Sequence, residues 1–389
     1  MTSPLGERWQ SELDGLNPSR EGFAVGVVDR LLAFARDARA SDVHLLPQLS
    51  GKELHLSLRV DGVLHRIGTI QEGGVNVVAR LKVLAGLLTY RTDIPQEGRI
   101  RSGQEQLEMR VSSFPTVHGE KVVVRMFVGS GLYRHLEELG FPDSIYEALT
   151  NVLQEPQGLI VVCGPSGSGK TTTLYAALRH IQANSPTPRS IVTLEDPVEA
   201  VIPGISQSQV KPDGEFNYQR GLASLMRQDA EVILVGEIRD PKTAEIAFQA
   251  ALTGQLVLTS FHAGSAAEAI SRLSDMAIEP FVLRSSLRGI LSQRLLRAKC
   301  QNCADPPVAA GCETCGLTGY AGRFVVAEWL QPDGKGLGRA MLDRLDAHEI
   351  ETLAIESGMR PLRVVAQELV TQGRTTEAEW IRVFGAVPE

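Results

Sequence analysis

The first third of the chain alternates between helical and strand-like spacing of its apolar residues. Residues 25–39 and 75–88 carry apolar side chains at helical spacing, which predicts two amphipathic helices. Residues 54–60 alternate cleanly, and Asp61-Gly62 separates them from a second apolar stretch, which predicts a hairpin. Further strands are predicted at residues 43–46, 63–67, 107–111 and 121–127. We therefore expect a polar N-terminal tail over residues 1–20 and a small α+β domain over 21–130.

The pattern changes in the second half of the chain. Residues 158–163 form a continuous apolar run, typical of a strand buried on both faces of a parallel sheet. A helix is predicted over 170–181, and short apolar strands at 191–194, 231–235 and 256–260. This alternation predicts an α/β domain over residues 131–389 that ends in a helical region, 336–389. Glycine and serine at 129–131 predict a hinge between the domains, near residues 129–132.

Composition narrows the classes of protein. The chain has 389 residues, enough for two to three domains. Its apolar runs fall short of the ~20 residues that cross a bilayer, and its N-terminus does not resemble an export signal. We therefore expect the chain to stay in the cytoplasm or on the inner face of a membrane. The net charge of −7 and the aromatic content of 5% disfavour binding to nucleic acid.

A glycine-rich segment matches the phosphate-loop pattern G-x-x-x-x-G-K-[ST] at every fixed position. It follows a predicted strand and precedes a predicted helix, the context that the motif requires. Lys170 would contact the β and γ phosphates of ATP, and the Thr171 hydroxyl would ligate Mg²⁺. The predicted nucleotide-binding residues are Gly164, Pro165, Ser166, Gly167, Ser168, Gly169, Lys170, Thr171 and Thr172.

Acidic residues follow two of the predicted strands. Glu237 ends the run 231–237 and fits a Walker B acid, although an ordinary surface glutamate would fit too. Glu195 lies in the acidic segment 194–199, where a carboxylate could orient the attacking water. A solvated acidic loop is the alternative for that segment.

Four of the five cysteines form a cluster, Cys300, Cys303, Cys312 and Cys315, in an element over residues 298–318. Two C-x-x-C pairs suit tetrahedral Zn²⁺ with four thiolates, a closed and therefore structural site. Free reduced thiols and an iron–sulfur cluster are the alternatives. Cys163 ends an apolar run and is expected to be buried.

Taken together, these motifs resemble the ATPases that drive type II secretion and type IV pilus assembly, members of the secretion traffic ATPase superfamily. The resemblance runs from about Val25 to at least Leu330. It is carried by residues 39–44, 59–64, 194–199, 227–229, 235–240, 252–264 and 293–297, which lead into the cysteines.

The resemblance implies a fold and a set of roles. A RecA-like P-loop ATPase domain would follow a smaller α+β, PAS-like domain. Glu195 would activate water, Glu237 would be the Walker B acid, and His262 would lie near the γ-phosphate. From the residues alone, a core or capping histidine is the favoured interpretation of His262. The first domain would supply Arg110 and Arg125 to the nucleotide, although strand arginines commonly form surface ion pairs. Further arginine candidates are Arg99, Arg220 and Arg227.

Three features depart from the family pattern. Only eight residues separate the two cysteine pairs, fewer than is usual. About 20 residues precede the first domain, where many relatives carry an additional N-terminal domain. Ala223 stands where many relatives place an arginine.

The function expected from the resemblance is that of a hexameric Mg²⁺-dependent ATPase, peripheral to the inner membrane. It would act on a membrane platform protein that assembles pilin-like fibres. The alternatives are a pilus retraction or DNA-uptake motor of the same family, a nucleic-acid translocase, and a nucleotide-binding scaffold without turnover.

Overall fold

The computed structural model describes residues 4–101, 108–126, 135–211, 214–303, 312, 315–316, 318–332 and 336–386. It divides into two compact units. The first is Met1–Gly129 with Cys300–Gly322, and the second is Ser130–Lys299 with Arg323–Glu389. The hinge predicted near residues 129–132 lies outside the described residues.

In the part of the first unit that the structure describes, a six-stranded antiparallel sheet packs with three helices. Its strand order is β3-β2-β1-β6-β5-β4. A short 3-10 turn, Leu49–Gly51, follows β1. The elements are α1 (Pro4–Glu12), α2 (Phe23–Asp37), β1 (Ala40–Gln48), β2 (Glu53–Val60), β3 (Val63–Ile70), α3 (Gly74–Leu84), β4 (Gln96–Arg101), β5 (Glu108–Thr116) and β6 (Gly119–Met126).

Asp61 and Gly62 suit the turn between β2 and β3 because of the backbone angles that this turn requires. Asp61 has φ 48° and Gly62 has φ 83°, and Val60 pairs with Val63 across the hairpin. Two successive positive φ angles match the twist of the flanking strands, and Asp-Gly tolerates them. The predicted hairpin is therefore present, with its strands slightly longer than expected.

Two expectations about this unit are corrected. Residues 4–12 are a helix and not a polar tail: Leu5 and Trp9, four positions apart, are buried, and the Trp9 ring lies 5.6 Å from that of Phe34. The cysteine segment, expected within the ATPase domain, belongs to the first unit. Gly316 lies beside Leu5, and the Gly322 backbone N–H donates to the Asp61 carboxylate at 3.2 Å.

The second unit is built on a seven-stranded sheet in the order β13-β12-β7-β11-β10-β8-β9. Strands β12, β7, β11, β10, β8 and β9 pair in parallel. After a 3-10 turn (Leu136–Leu139), the elements are α4 (Asp143–Leu153), β7 (Gly158–Cys163), α5 (Lys170–Asn184), β8 (Ile191–Glu195), β9 (Ser206–Gln209), α6 (Tyr218–Leu225), β10 (Val232–Val235), α7 (Pro241–Leu252), β11 (Leu256–Phe261), α8 (Ala266–Asp275), α9 (Pro280–Ser286), β12 (Leu287–Lys299), β13 (Tyr320–Leu330), α10 (Leu337–Leu342), α11 (Ala347–Glu356), α12 (Leu362–Thr371) and α13 (Glu377–Phe384).

The core of the second unit lies on both faces of this sheet. All six residues of β7 are buried, with Leu159, Val161 and Cys163 in one apolar cluster and Ile160 and Val162 in the other. Helices therefore cover both faces, as the continuous apolar run of β7 predicts. The carboxyl ends of the parallel strands meet at one edge of the sheet, where the candidate site lies.

Candidate nucleotide site and cysteine cluster

The phosphate loop connects β7 to α5. Gly164, Gly167 and Gly169 have φ angles of 148°, 76° and 92°, which side-chain-bearing residues rarely adopt. A Cβ atom at Gly164 would lie only 2.6 Å from the Gln293 carbonyl oxygen. Pro165, Ser166 and Gly167 are exposed, so the loop presents its backbone to solvent at the N-terminus of α5. Such an arrangement suits a bound phosphate.

Lys170 and Thr171 open helix α5. The Lys170 Nζ donates to the carbonyl oxygens of Gly164 at 2.9 Å and Pro165 at 3.1 Å. Burial lowers the pKa of this ammonium, and the nearby Glu237 charge opposes that shift. Thr171 is exposed beside it, and Thr172 is half-buried. The Lys170 ammonium therefore lies against the backbone of the phosphate loop, beside the place where it is predicted to contact phosphate.

Gln293, on β12, braces the loop from the neighbouring strand. Its Nε2 donates to the Ser168 carbonyl oxygen at 2.6 Å, and its Oε1 accepts from the Thr173 hydroxyl at 2.9 Å. The side chain is buried. Sequence reasoning assigned Gln293 no role. The available signal was its place in the 293–297 stretch of the resemblance.

Glu237 and His262 follow the adjacent parallel strands β10 and β11. The His262 Nε2 lies 3.7 Å from Glu237 Oε2, and Arg239 forms an ion pair with the same carboxylate. Burial, together with the Lys170 charge, lowers the pKa of His262, so its imidazole is neutral at pH 7. The structure thus gathers Lys170, Glu237 and His262 at one edge of the sheet.

Glu195 ends β8, the strand beside β10. Its carboxylate is buried and accepts hydrogen bonds from the Tyr175 hydroxyl, from the Thr193 hydroxyl at 2.5 Å and from Gln207 Nε2 at 3.2 Å. It is therefore not the solvated loop acid considered as an alternative. Alternate β8 residues face opposite sides of the sheet, which directs Glu195 and Thr193 toward α5.

The predicted arginines of the first unit lie in one row across its sheet. Arg99 pairs with Arg110, Arg110 with Arg125, Arg125 with Asp42, and Asp42 with Arg59. Residues directly opposite each other on antiparallel strands share a face, so four arginines line this face with one aspartate among them. We refer to these five residues as the arginine row. Sequence reasoning missed Arg59.

Two carboxylates form ion pairs with arginines of the row: Asp42, which is part of it, and Glu97. Asp42 lies 3.1 Å from Arg125 Nε and 3.7 Å from Arg59 Nε, and Glu97 lies 2.6 Å from Arg110 Nη2. The Arg125 side chain is 63% exposed and can reach a ligand. Neighbouring arginines repel each other, a cost that an anionic ligand would offset.

The two remaining arginine candidates lie on or after α6. Arg220 donates from Nη1 to the Glu215 carbonyl oxygen at 3.2 Å, and Arg227 follows the helix, where its backbone N–H bonds to Ser224. Neither contact assigns a role toward nucleotide.

The four cysteine sulfurs of the cluster lie within 4.8 Å of one another. The Sγ–Sγ distances are 3.7 Å for Cys300 and Cys312, 3.6 Å for Cys303 and Cys315, and 3.9 Å for Cys312 and Cys315. A zinc tetrahedron with bonds of about 2.3 Å has edges of about 3.8 Å, whereas a disulfide needs about 2 Å. The sulfur positions therefore fit a tetrathiolate metal site.

A family model described as "Type II/IV secretion system protein" matches residues 19–382. The chain belongs to this family. The type II secretion system proteins HxcR of Pseudomonas aeruginosa and E of Pectobacterium carotovorum are 38% and 39% identical to it. These matches cover 96% and 95% of the chain, and 80% and 77% of the respective proteins. The resemblance expected from the sequence is confirmed.

A type IV pilus assembly ATPase, PilB of Thermus thermophilus, is 38% identical over 89% of this chain. The match spans 41% of the Thermus protein, less than half of its length. The relatives named here therefore include both secretion proteins and a pilus assembly protein.

Solved structures confirm the expected fold. The ATPase DotB of Yersinia pseudotuberculosis has a TM-score of 0.71 at 22% identity, over 94% of this chain and 95% of that one. The pilus retraction motor PilT with bound ADP has a TM-score of 0.64 at 22% identity, over 93% and 97%. A RecA-like ATPase domain with a preceding α+β domain is therefore shown. Across the described residues, the helices are too short or too polar to span a membrane.

Proposed function

We propose that this secretion family protein hydrolyses Mg²⁺-ATP and works as a hexameric motor that assembles pilin-like fibres in type II secretion or type IV pilus biogenesis. The observation that carries the proposal is the common edge of the second sheet, where the phosphate loop, Glu237 and His262 lie together. Family membership and the names of the relatives support the biological setting.

ATP phosphates would occupy the exposed backbone of the phosphate loop, residues 164–172. Lys170 would exchange its two carbonyl contacts for phosphate oxygens, because a phosphate binds an ammonium more strongly than a neutral carbonyl does. Thr171 and Glu237 would hold Mg²⁺, which supplies charge neutralisation when it is bound. His262, neutral beside Glu237, would donate or accept a hydrogen bond near the γ-phosphate.

Hydrolysis needs a base and a stabiliser of negative charge. A water oxygen bonds to the γ-phosphorus, the bond from that phosphorus to the β–γ bridging oxygen breaks, and its electron pair leaves with ADP. The water proton passes to the Glu195 carboxylate and then to phosphate or solvent. Arg110 and Arg125 would stabilise the charge that develops on the phosphoryl oxygens, as the resemblance implies.

The cysteine cluster would hold one structural Zn²⁺. Four thiolates leave no open coordination position, so the ion would stabilise the fold of the first unit and take no part in hydrolysis. The sulfur distances support this assignment.

The partners follow from the resemblance. Six copies would form a ring at the inner face of the membrane and would act on a platform protein there. The net charge of −7 supports a protein partner over nucleic acid. A retraction motor remains the second candidate within the family. The cysteine cluster, a feature of the assembly group in the resemblance, favours assembly.

Turnover of Mg²⁺-ATP by the purified full-length protein tests the proposal. Phosphate release should require Mg²⁺ and should fall to background in Lys170→Ala and Glu237→Gln. Lys242→Ala, which removes an exposed lysine paired with Glu245, is the matched control and should retain full turnover. Nucleotide binding without phosphate release would support the scaffold alternative instead.

A further inference from the structure

Tyr175 occupies a distinctive position on the helix that carries the phosphate loop. It lies four residues after Thr171 on α5, so both side chains lie on the same face of that helix. Thr171 is exposed at the helix start, whereas Tyr175 is buried below it. A buried tyrosine needs a partner for its hydroxyl group.

That partner is the Glu195 carboxylate. The Tyr175 hydroxyl donates to Glu195 Oε2, while Thr193 and Gln207 donate to Oε1. These three donors are uncharged. A buried carboxylate that is held by neutral groups depends on each of them for its position, because each lost donor leaves a desolvated oxygen.

The hydroxyl of Tyr175 is itself fixed. It accepts a hydrogen bond from the Glu199 backbone N–H at 3.2 Å, so it links α5 to the acidic segment that follows β8. Burial and the adjacent Glu195 charge raise the pKa of this phenol, which keeps it protonated and able to donate. Its orientation is thereby set from both sides.

We propose that Tyr175 is a positioning residue that holds Glu195 in place for activation of water. The inference rests on the proposed function, in which Glu195 is the base. Tyr175 ties the base to the same helix that begins at the phosphate loop. The position of the base is therefore coupled to that of the loop through one helix.

The test compares Tyr175→Phe with Tyr146→Phe. Tyr146 lies on a different helix, α4, and also donates a hydrogen bond to a glutamate, Glu137, at 2.6 Å. In Tyr175→Phe we expect kcat to fall about ten- to a hundred-fold while the dissociation constant of a fluorescent ATP analogue and KM stay within two-fold, since only a hydrogen bond to the base is lost. Tyr146→Phe should match wild type in all three.

A second variant separates positioning from packing. Thr193→Val removes another donor from the same carboxylate and leaves Tyr175 in place, and it should also lower kcat without changing nucleotide affinity. If Tyr175→Phe does not fold, as judged by thermal unfolding, the same prediction is read from Thr193→Val.

The outcomes are distinguishable. Wild-type kcat in a folded Tyr175→Phe variant, or equal losses in kcat and nucleotide affinity, would overturn the inference and leave the proposed function intact. Absence of turnover by the wild-type protein, or full turnover by Glu195→Gln, would overturn the role of the base and the inference with it.

Discussion

Gln293 Nε2 donates a hydrogen bond to the carbonyl oxygen of Ser168 at 2.6 Å, from a strand 125 residues away in the chain. The bond holds the phosphate loop from the side opposite to its exposed face. Because Gln293 also accepts from Thr173, it joins the loop to the first turns of α5. The shape of the loop is therefore maintained by β12 as well as by its own glycines.

Gln293→Ala should weaken ATP binding. The change leaves a buried Ser168 carbonyl and a buried Thr173 hydroxyl without this partner, which loosens the loop. We expect KM for ATP to rise about ten-fold, equivalent to about 1.4 kcal/mol, with a smaller change in kcat.

Gln182→Ala is the control for Gln293→Ala. Gln182 is also a glutamine that donates to a backbone carbonyl, that of Pro203 at 3.0 Å, but it lies near the end of α5. Initial-rate kinetics of both variants decide the point. An unchanged KM in Gln293→Ala would contradict the bracing role.

Arg125→Ala should lower hydrolysis without lowering stability. The Arg125 side chain is 63% exposed in its ion pair with the buried Asp42, so solvent screens the pair, and removal of Arg125 also removes a like charge opposite Arg110. Asp42 keeps Arg59 and the Ser41 hydroxyl as partners. We expect kcat/KM to fall roughly 100-fold, because a positive charge that stabilises the developing phosphoryl charge is lost. The Tm should stay within about 2 °C of wild type, because a small change in unfolding free energy shifts the Tm only slightly.

Arg36→Ala supplies the comparison for the arginine row, since Arg36 forms an exposed ion pair with the adjacent Asp37. Its turnover and Tm should equal those of wild type. Full hydrolysis by Arg125→Ala would remove Arg125 from the proposed chemistry, and Arg125→Lys should restore only part of the loss.

Metal analysis should find one zinc ion per chain. Cys303→Ser should abolish zinc binding, and a chelator should lower the Tm of the wild-type protein, because structural zinc contributes directly to folding. Cys163→Ala is the matched control. Burial raises the pKa of the Cys163 thiol to about 12, so it does not form the thiolate that zinc requires. Iron or an absence of metal in the purified protein would contradict the assignment.

Glu379 predicts a pH dependence of stability. This carboxylate is buried on α13 and accepts from Arg297 Nε at 2.9 Å and from Arg382 Nη2 at 2.6 Å. Burial would raise the pKa of Glu379, but the hydrogen bonds from Arg382 and Arg297 outweigh it and hold the pKa below 4.5. The stabilisation that ionised Glu379 contributes is therefore complete above pH 4.5, and it is lost as the pH falls through the lowered pKa.

At pH 7 the free energy of unfolding of Glu379→Gln should be about 3 kcal/mol lower than that of wild type, because two arginines lose their buried charged partner. The difference should shrink below pH 4.5. Denaturant unfolding across the pH range measures it. Glu245→Gln, which breaks an exposed pair with Lys242, should change stability by less than about 1 kcal/mol at every pH. An equal gap between wild type and Glu379→Gln at pH 7 and pH 4 would contradict the account.

Local patterns were enough to predict the central elements. The run of apolar residues 158–163 and the following Gly-Lys-Thr predicted β7, the loop and α5, because strand, turn and helix chemistry are all local there. Asp61-Gly62 likewise predicted the β2–β3 turn. The spacing of the cysteines predicted a cluster whose sulfurs lie together in the structure.

The rest depends on tertiary contacts. Trp9 gives α1 its buried face, yet a single aromatic residue in a polar segment carries little periodicity. The arginine row depends on strand register, which the turns and the core set together. Gln293 and Tyr175 act on residues far along the chain, so no local pattern distinguishes them from ordinary buried polar side chains.

The most direct test of the ring motor is Mg²⁺-ATP hydrolysis as a function of protein concentration, with molecular mass read by light scattering on the same samples and Glu195→Gln as the inactive reference. We expect turnover per chain to rise steeply as hexamers form and to stay at background in Glu195→Gln. Full turnover per chain in samples that contain only monomers would contradict it.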